Sequence, residues 1–129
     1  MKLLFEHEKA NLFYNEDTNS IELIWKKNQD SETYKLMFTK AVEFMKTYKT
    51  TGFLSDIRKE GVVGTESTKW MQQEIIPKAI SFGLKKIAVV MEADIFKEFY
   101  VKNLKKVTDK ETIKYFDSEE SARGWLKEI

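Results

Sequence analysis

The chain has 129 residues, 42% of them hydrophobic, with 22 basic and 21 acidic side chains, and is expected to form one domain over residues 1–129. Because lysines are interleaved with glutamates, the basic stripe of a nucleic-acid-binding protein is absent. With no cysteine and one histidine, the chain has no disulfide, no thiolate nucleophile and no metal site that requires two histidine ligands.

The N-terminal part predicts an antiparallel meander of three short strands. The first two strands are expected at Lys2–His7 and Asn11–Asn15, and a turn rich in Asp and Asn follows the second. The third strand, over residues 21–26, alternates apolar and polar side chains, which places Trp25 on a dry face and Glu22 on a wetter one.

A first amphipathic helix follows, because apolar side chains then recur at steps of three and four residues up to Tyr48. Asp30 or Ser31 is the expected N-cap, and Gly52 is expected to supply the left-handed position at the end of the helix. The stretch Phe53–Arg58 then predicts the central strand of the domain.

A second helix is expected after the glycine-bearing loop 59–64, with Thr65 as its N-cap. Pro77 falls inside its apolar pattern and predicts a kink or break, because proline cannot donate the helical hydrogen bond. The next strand, Lys85–Met91, is apolar almost throughout, as is typical of a central parallel strand covered on both faces.

Three more elements complete the predicted fold. Asp94 is expected to cap a third helix, residues 112–116 predict the last strand, and Asp117 with Glu120 predicts a capping box for the last helix. The order β-β-β-α-β-α-β-α-β-α predicts an α/β fold with a mainly parallel sheet preceded by an antiparallel meander. No apolar run is long enough for a signal peptide or a membrane span, so we expect a cytoplasmic protein.

Several segments resemble those of the small bacterial SpoIIAA-like (STAS-like) proteins. They are the run Phe53–Arg58, the helix with Trp70 and residues 75–80, the stretch 83–90 and the ending 115–126. The resemblance covers about residues 20–129 and rests on fold-supporting residues. It implies a SpoIIAA-like β-α superhelix and a non-enzymatic regulatory or interaction module that binds a protein partner or a small ligand, with no assigned catalytic residue, metal or cofactor.

In the anti-sigma factor antagonists of this family, a serine at the start of the helix after the central strand is phosphorylated to switch partner binding. The corresponding segment here, residues 64–68, lacks the Asp-Ser-Ser-Gly run of that switch. Glu66 also lies where an added phosphate would be repelled, so the resemblance does not carry the phosphorylation over. Thr65, Ser67 and Thr68 are kept as candidates for binding a ligand or a partner.

Asp56 and Arg58 lie two residues apart in the predicted central strand, so their side chains point to one face near its carboxyl end. As a functional pair they would be an acid and an anion clamp, with Thr65, Ser67 and free helix N–H groups completing an anion site for a small-molecule binder or enzyme. The alternative is a structural ion pair, which is the commoner arrangement.

Glu92 follows the next parallel strand and is expected to share the same crevice. With Asp56 and Asp94 it would offer three carboxylates to Mg²⁺, although Asp94 is already expected to cap a helix. Lipid binding is a weaker third alternative, suggested by the distant likeness of such folds to lipid-transfer domains.

The aromatic side chains Phe13, Tyr14 and Trp25 lie in the antiparallel part of the predicted sheet, where one face is expected to lack a helix. An uncovered apolar patch usually marks an association surface. The sequence therefore predicts a homodimer.

Overall fold

The computed structural model describes residues 1–92 and 112–128. Within these residues the strands form one sheet whose order is the order of the chain. The strands are β1 (Lys2–Glu6), β2 (Ala10–Asn15), β3 (Ser20–Trp25), β4 (Gly52–Asp56), β5 (Lys86–Val90) and β6 (Ile113–Phe116). β1, β2 and β3 pair antiparallel, and β3 to β6 pair parallel, so the predicted α/β architecture is confirmed.

Helices cover both faces of the sheet. They are α1 (Ser31–Tyr48), α2 (Thr65–Trp70), α3 (Ile76–Ser81) and α4 (Glu119–Lys127), and a π-helical turn, Met71–Ile75, joins α2 to α3. None of the helices in the described part of the chain is long and apolar enough to span a membrane. The predicted helix that would begin at Asp94 lies outside the described residues.

The sheet separates two hydrophobic clusters. The larger one lies between the sheet and α1, α2 and α3, and includes Phe53 and Ile57. The smaller one lies under α4, where Leu54 of β4 meets Trp125 and Leu126. Successive side chains of a strand point to opposite faces, and helices cover both faces here, so β4 and β5 are buried on both sides. This explains the nearly continuous apolar run of β5.

α1 begins as predicted but ends earlier. The side chain of Asp30 caps it, accepting a hydrogen bond from the backbone N–H of Thr33 at 2.8 Å. The left-handed residue after the helix is Lys49, with φ 53°, so the prediction that Gly52 ends the helix is wrong. Gly52 instead opens β4, where a Cβ atom would lie 2.3 Å from Oγ of Ser20 on β3. The glycine permits two strands to approach closely.

Two further predicted N-caps, Thr65 and Asp117, are each displaced by one residue. Thr65 is the first residue of α2, and Gly64 precedes it without a side-chain cap. In α4 the cap is Ser118 rather than Asp117, since the Ser118 hydroxyl accepts a bond from the backbone N–H three residues later. The predicted capping box with Glu120 is therefore wrong.

Pro77 coincides with a disturbed helix, as predicted. In the π-helical turn before it, the N–H of Ile76 bonds to the carbonyl of Met71, five residues back instead of four. Beneath these residues, between the helices and the sheet, lies an apolar cavity of about 30 Å³. A space of this size accommodates about one water molecule and is too small for an organic ligand.

The expectation that Trp25 and Tyr14 lie on an uncovered face is wrong. Trp25 is only 2% exposed, and the Tyr14 ring stacks on Tyr48 of α1 at a centroid distance of 4.5 Å. Phe13 is half-buried on the other face, opposite Leu3, which is 47% exposed. α1 therefore covers the face that was expected to carry the patch.

Candidate functional site

A crevice of about 410 Å³ opens where β3, β4 and β5 end. In open sheets of parallel strands this carboxyl edge is the usual location of ligand sites. The residues that line the crevice are Ile24, Trp25, Lys26, Asp56, Arg58, Lys59, Glu92 and Glu119. The structure therefore brings three of the candidate residues, Asp56, Arg58 and Glu92, to one place.

The candidates on α2 lie elsewhere. Thr65, Ser67 and Thr68 do not line the crevice, and α2 packs in the layer of α1 on the opposite face of the sheet from α4. Ser67 and Thr68 are buried, and the Thr68 hydroxyl donates to the carbonyl of Gly64 at 3.0 Å. That these residues bind a ligand or a partner stays a prediction, but it would use a different surface from the crevice.

Asp56 and Arg58 form a two-pronged ion pair at the end of β4. The Nε atom of Arg58 lies 3.0 Å from Oδ1 of Asp56, and its Nη2 atom lies 2.6 Å from Oδ2. The backbone N–H of Arg58 also donates to Oδ1 at 3.2 Å. The Asp56 side chain is buried, whereas that of Arg58 is 37% exposed. Both oxygens of Asp56 are therefore held by Arg58, as in the structural interpretation of this pair.

Sequence reasoning missed a second ion pair, which lies under α4. Glu22 of β3 is fully buried, and Nε and Nη2 of Arg123 reach its two carboxylate oxygens at 3.0 and 2.7 Å. Asn15 of β2 donates to the same carboxylate at 2.9 Å. The prediction that Glu22 points to a wetter face is wrong because α4 brings Arg123 over it.

Glu119, the first residue of α4, connects the two pairs. One of its oxygens lies 3.2 Å from Nη2 of Arg123, and the other lies 3.5 Å from Nη2 of Arg58. We call Glu22, Asp56, Arg58, Glu119 and Arg123 together the carboxyl–guanidinium network. Its three carboxyl groups exceed its two guanidinium groups by one, so the network is neutral only when one carboxyl group carries a proton.

The surroundings of Glu119 favour its protonated form. A hydrogen bond to Asp56, together with burial and the negative charge of Asp56, raises the pKa of Glu119 from the usual 4.5 to about 7. Burial alone would raise the pKa of Asp56 as well, but hydrogen bonds from Arg58 and Glu119 outweigh it and hold that pKa below its usual value. At neutral pH the crevice thus contains an ionised aspartate next to a half-protonated glutamate.

The i,i+4 spacing of Glu119 and Arg123 is the sequence signal that was available for this network. On a helix this spacing places the two side chains on one face, and Ala122 and Trp125 show that a neighbouring face is buried. The spacing alone does not reveal that the partners are Glu22 and Asp56.

Replacing Glu119 with glutamine is expected to remove a pH dependence of stability. The folded protein keeps the Glu119 proton up to about pH 7, whereas an unfolded glutamate releases it near its usual pKa of 4.5. The folded state therefore binds more protons in this window, and its stability falls as the pH rises through it. The uncharged amide of the substituted side chain imitates the protonated carboxyl group at every pH.

The measurement is urea unfolding of the wild type and Glu119→Gln at pH 5 and pH 8. Allowing for the partial exposure of the side chain, we expect the variant to gain about 1 kcal/mol relative to the wild type between pH 5 and pH 8. The neighbouring Glu120→Gln is the matched control and should show no such gain. Equal pH dependence in all three proteins would contradict the assigned location of the proton.

Among the residues that the structure describes, no three acidic or histidine side chains converge as metal ligands would. The Mg²⁺ interpretation also used Asp94, which lies outside the described residues. The oxygens of Asp56 already accept hydrogen bonds from Arg58.

A search of solved structures finds an uncharacterised protein of the DUF3478 family from Shewanella loihica PV-4, which has a SpoIIAA-like fold. The TM-score is 0.64, and the match covers 95% of this chain and 98% of the other. This chain has a SpoIIAA-like fold. At 17% sequence identity the similarity between the two proteins shows a shared fold and no more. The SpoIIAA-like fold that the sequence resemblance implied is therefore confirmed. No family model matches the sequence, and no curated protein matches it.

Proposed function

We propose that this SpoIIAA-like chain is a non-enzymatic binding module and that the crevice at the carboxyl edge of the sheet is its binding site. The observation that supports this most is the crevice itself, about 410 Å³ in volume and lined by charged side chains from three strand ends and a helix start. A volume of this order is typical of small-molecule sites.

The charged wall of the crevice is preorganised. Asp56 is held by two hydrogen bonds from the guanidinium group of Arg58, and Glu119 contacts both Arg58 and Arg123. Side chains held by several partners lose little further freedom when a ligand arrives, which favours binding. The same contacts occupy Asp56, the acid that a catalytic mechanism would need to be free.

A second candidate function, acid–base catalysis on a small molecule, is supported by Glu119. A carboxyl group with a pKa of about 7 is suited to give and take protons at neutral pH, and Glu119 lines the crevice. In this alternative Glu119 would be the acid, and Asp56 with Arg58 would hold it in place.

Native mass spectrometry after exposure to a small-molecule cell extract tests the proposal. The wild type is expected to retain a ligand that Lys59→Glu, which reverses a charge at the crevice, retains less well. Lys69→Glu is the matched control, because Lys69 is exposed on α2 and does not line the crevice. Retention that is equal in all three proteins, or absent from all, would contradict the proposal.

The same experiment separates binding from catalysis. A binding module releases the retained molecule with an unchanged mass, whereas an enzyme returns a product of different mass when it is incubated with that molecule. Glu119→Gln should abolish the conversion to a product without abolishing the retention of the molecule.

Recognition of a protein partner, self-association and a cytoplasmic location are also kept as proposals. A homodimer would now use the sheet face around Leu3 and Phe13 rather than Trp25, because Leu3 is 47% exposed and Trp25 is buried. Sedimentation of the wild type and Leu3→Lys would test it. A homodimer on this face predicts a concentration-dependent mass that the substitution lowers.

A further inference from the structure

Two lysines of the crevice have no side-chain partner in the described part of the chain. Lys26 follows β3 and Lys59 follows β4, and both line the crevice. Both side chains are exposed, and within residues 1–92 and 112–128 neither ammonium group forms an ion pair or a hydrogen bond. The lysines follow different strands, and both line the crevice because β3 and β4 are neighbouring parallel strands.

The acidic side chains of the crevice are mostly neutralised in place. Asp56 is paired with Arg58, and Glu119 carries a proton for part of the time at neutral pH. Glu92 is exposed and remains to balance one of the basic groups. With Glu119 protonated, Lys26, Arg58 and Lys59 outnumber the ionised Asp56 and Glu92 by one, and the crevice is positive.

We propose that the crevice binds an oxyanion, a carboxylate or phosphate group, between the ammonium groups of Lys26 and Lys59. This deepens the proposed function and rests on it, since it names the ligand class of the same crevice. Arg58 lies beside the bound anion but stays paired with Asp56.

Protonation of Glu119 makes this binding dependent on pH. Besides Glu119, the charged groups that line the crevice are Lys26 after β3, Asp56, Arg58 and Lys59 at the end of β4, and Glu92 after β5. Arg123 contacts Glu119 from within α4, and Glu22 lies behind Arg123. Ionisation of Glu119 adds a negative charge near the anion. The affinity is therefore higher at pH 6 than at pH 8.

The test is a titration of the full chain with acetate and with inorganic phosphate at constant ionic strength, followed by the amide NMR signals of residues 26 and 59. Lys26→Ala/Lys59→Ala is expected to weaken binding about tenfold, because two exposed charge contacts are lost. The control Lys69→Ala/Lys78→Ala removes the same charge from α2 and α3 and should bind like the wild type. Equal loss in both double variants would overturn the assignment of the lysines.

Glu119→Gln supplies the second readout. Its affinity for acetate, whose own charge is constant between pH 6 and pH 8, should not change with pH, whereas that of the wild type should fall about threefold or more. Glu120→Gln, the control, should follow the wild type. A pH dependence that is the same in Glu119→Gln and the wild type would overturn the coupling to Glu119.

A further experiment, with vesicles of phosphatidic acid and phosphatidylcholine, distinguishes a soluble anion from the anionic headgroup of a lipid. Binding of free acetate or phosphate assigns the site to a soluble ligand, and binding of the vesicles alone assigns it to a lipid headgroup. Binding of none of these overturns the oxyanion proposal. If the chain still retains a molecule from cell extract that Lys59→Glu releases, the proposed binding function stands and only the ligand class is wrong.

Discussion

Replacing Arg123 with methionine is expected to lower the free energy of unfolding by about 3 kcal/mol or more, the usual cost of removing one partner of a buried ion pair. Arg123 is the only guanidinium that contacts Glu22 in the described part of the chain. Methionine would fill much of the space of the arginine stem but would leave the fully buried Glu22 with only the amide of Asn15. A buried carboxylate without a counter-charge is the main source of the loss.

Urea unfolding at pH 7 measures this effect, and two further variants control it. Lys127→Met removes an exposed charge from the same helix and should change stability little. Adding Glu22→Gln to Arg123→Met should recover part of the loss, because the buried charge is then gone. A double variant as unstable as the sum of its two single variants would show that the two residues are not coupled.

Replacing Gly52 with alanine is expected to cost about 2 kcal/mol, the usual effect of forcing an extra methyl group into a packed interior. The new Cβ atom would lie 2.3 Å from Oγ of Ser20 and 3.2 Å from Cδ2 of Leu126. Ser20 is buried directly opposite Gly52 in the parallel pairing of β3 and β4, and its hydroxyl donates to the carbonyl of Thr18. Relief of the clash would therefore disturb the strand pairing or the docking of α4.

Gly124→Ala is the matched control for this substitution. A Cβ atom at Gly124 meets nothing within 4 Å, and the residue lies inside α4. Alanine is a better helix former than glycine by about 0.8–1 kcal/mol, so this variant should be stabilised. Adding Ser20→Ala to Gly52→Ala should restore stability if the hydroxyl is the cause of the clash. Thermal unfolding of the wild type and these three variants measures the differences. A Gly52→Ala variant as stable as the wild type would contradict the predicted clash with Ser20.

Most of the sheet could be predicted from local patterns. The apolar run of β5 and the alternation of β3 are each enough to predict a strand. The parallel pairing of β4 and β5 then places Asp56 and Glu92 at the same edge, so part of the crevice also followed from the sequence. Two helix starts shifted by one residue. Ser118 takes the cap position of α4 from its polar neighbour Asp117, whereas α2 is preceded by Gly64, which has no side chain to act as a cap.

The carboxyl–guanidinium network could not be predicted in the same way. Glu22 and Arg123 are 101 residues apart, and each has the local surroundings of an ordinary surface residue. Only the packing of α4 on β4 and β5 brings Arg123 over Glu22 and places Glu119 next to Asp56. Alternation along β3 correctly gave the direction of the Glu22 side chain, but it contained no information about which element covers that face.

The strand order of the sheet has a consequence for how the chain folds. Because each strand pairs with its neighbours in sequence, every new pairing closes only the segment between them, and the loss of chain entropy at each step is modest. A topology of low contact order is expected to assemble quickly for a protein with a parallel sheet. The contacts of α4 with Glu22, Leu54 and Arg58 are the exceptions, since they join distant parts of the chain and are therefore expected to form late.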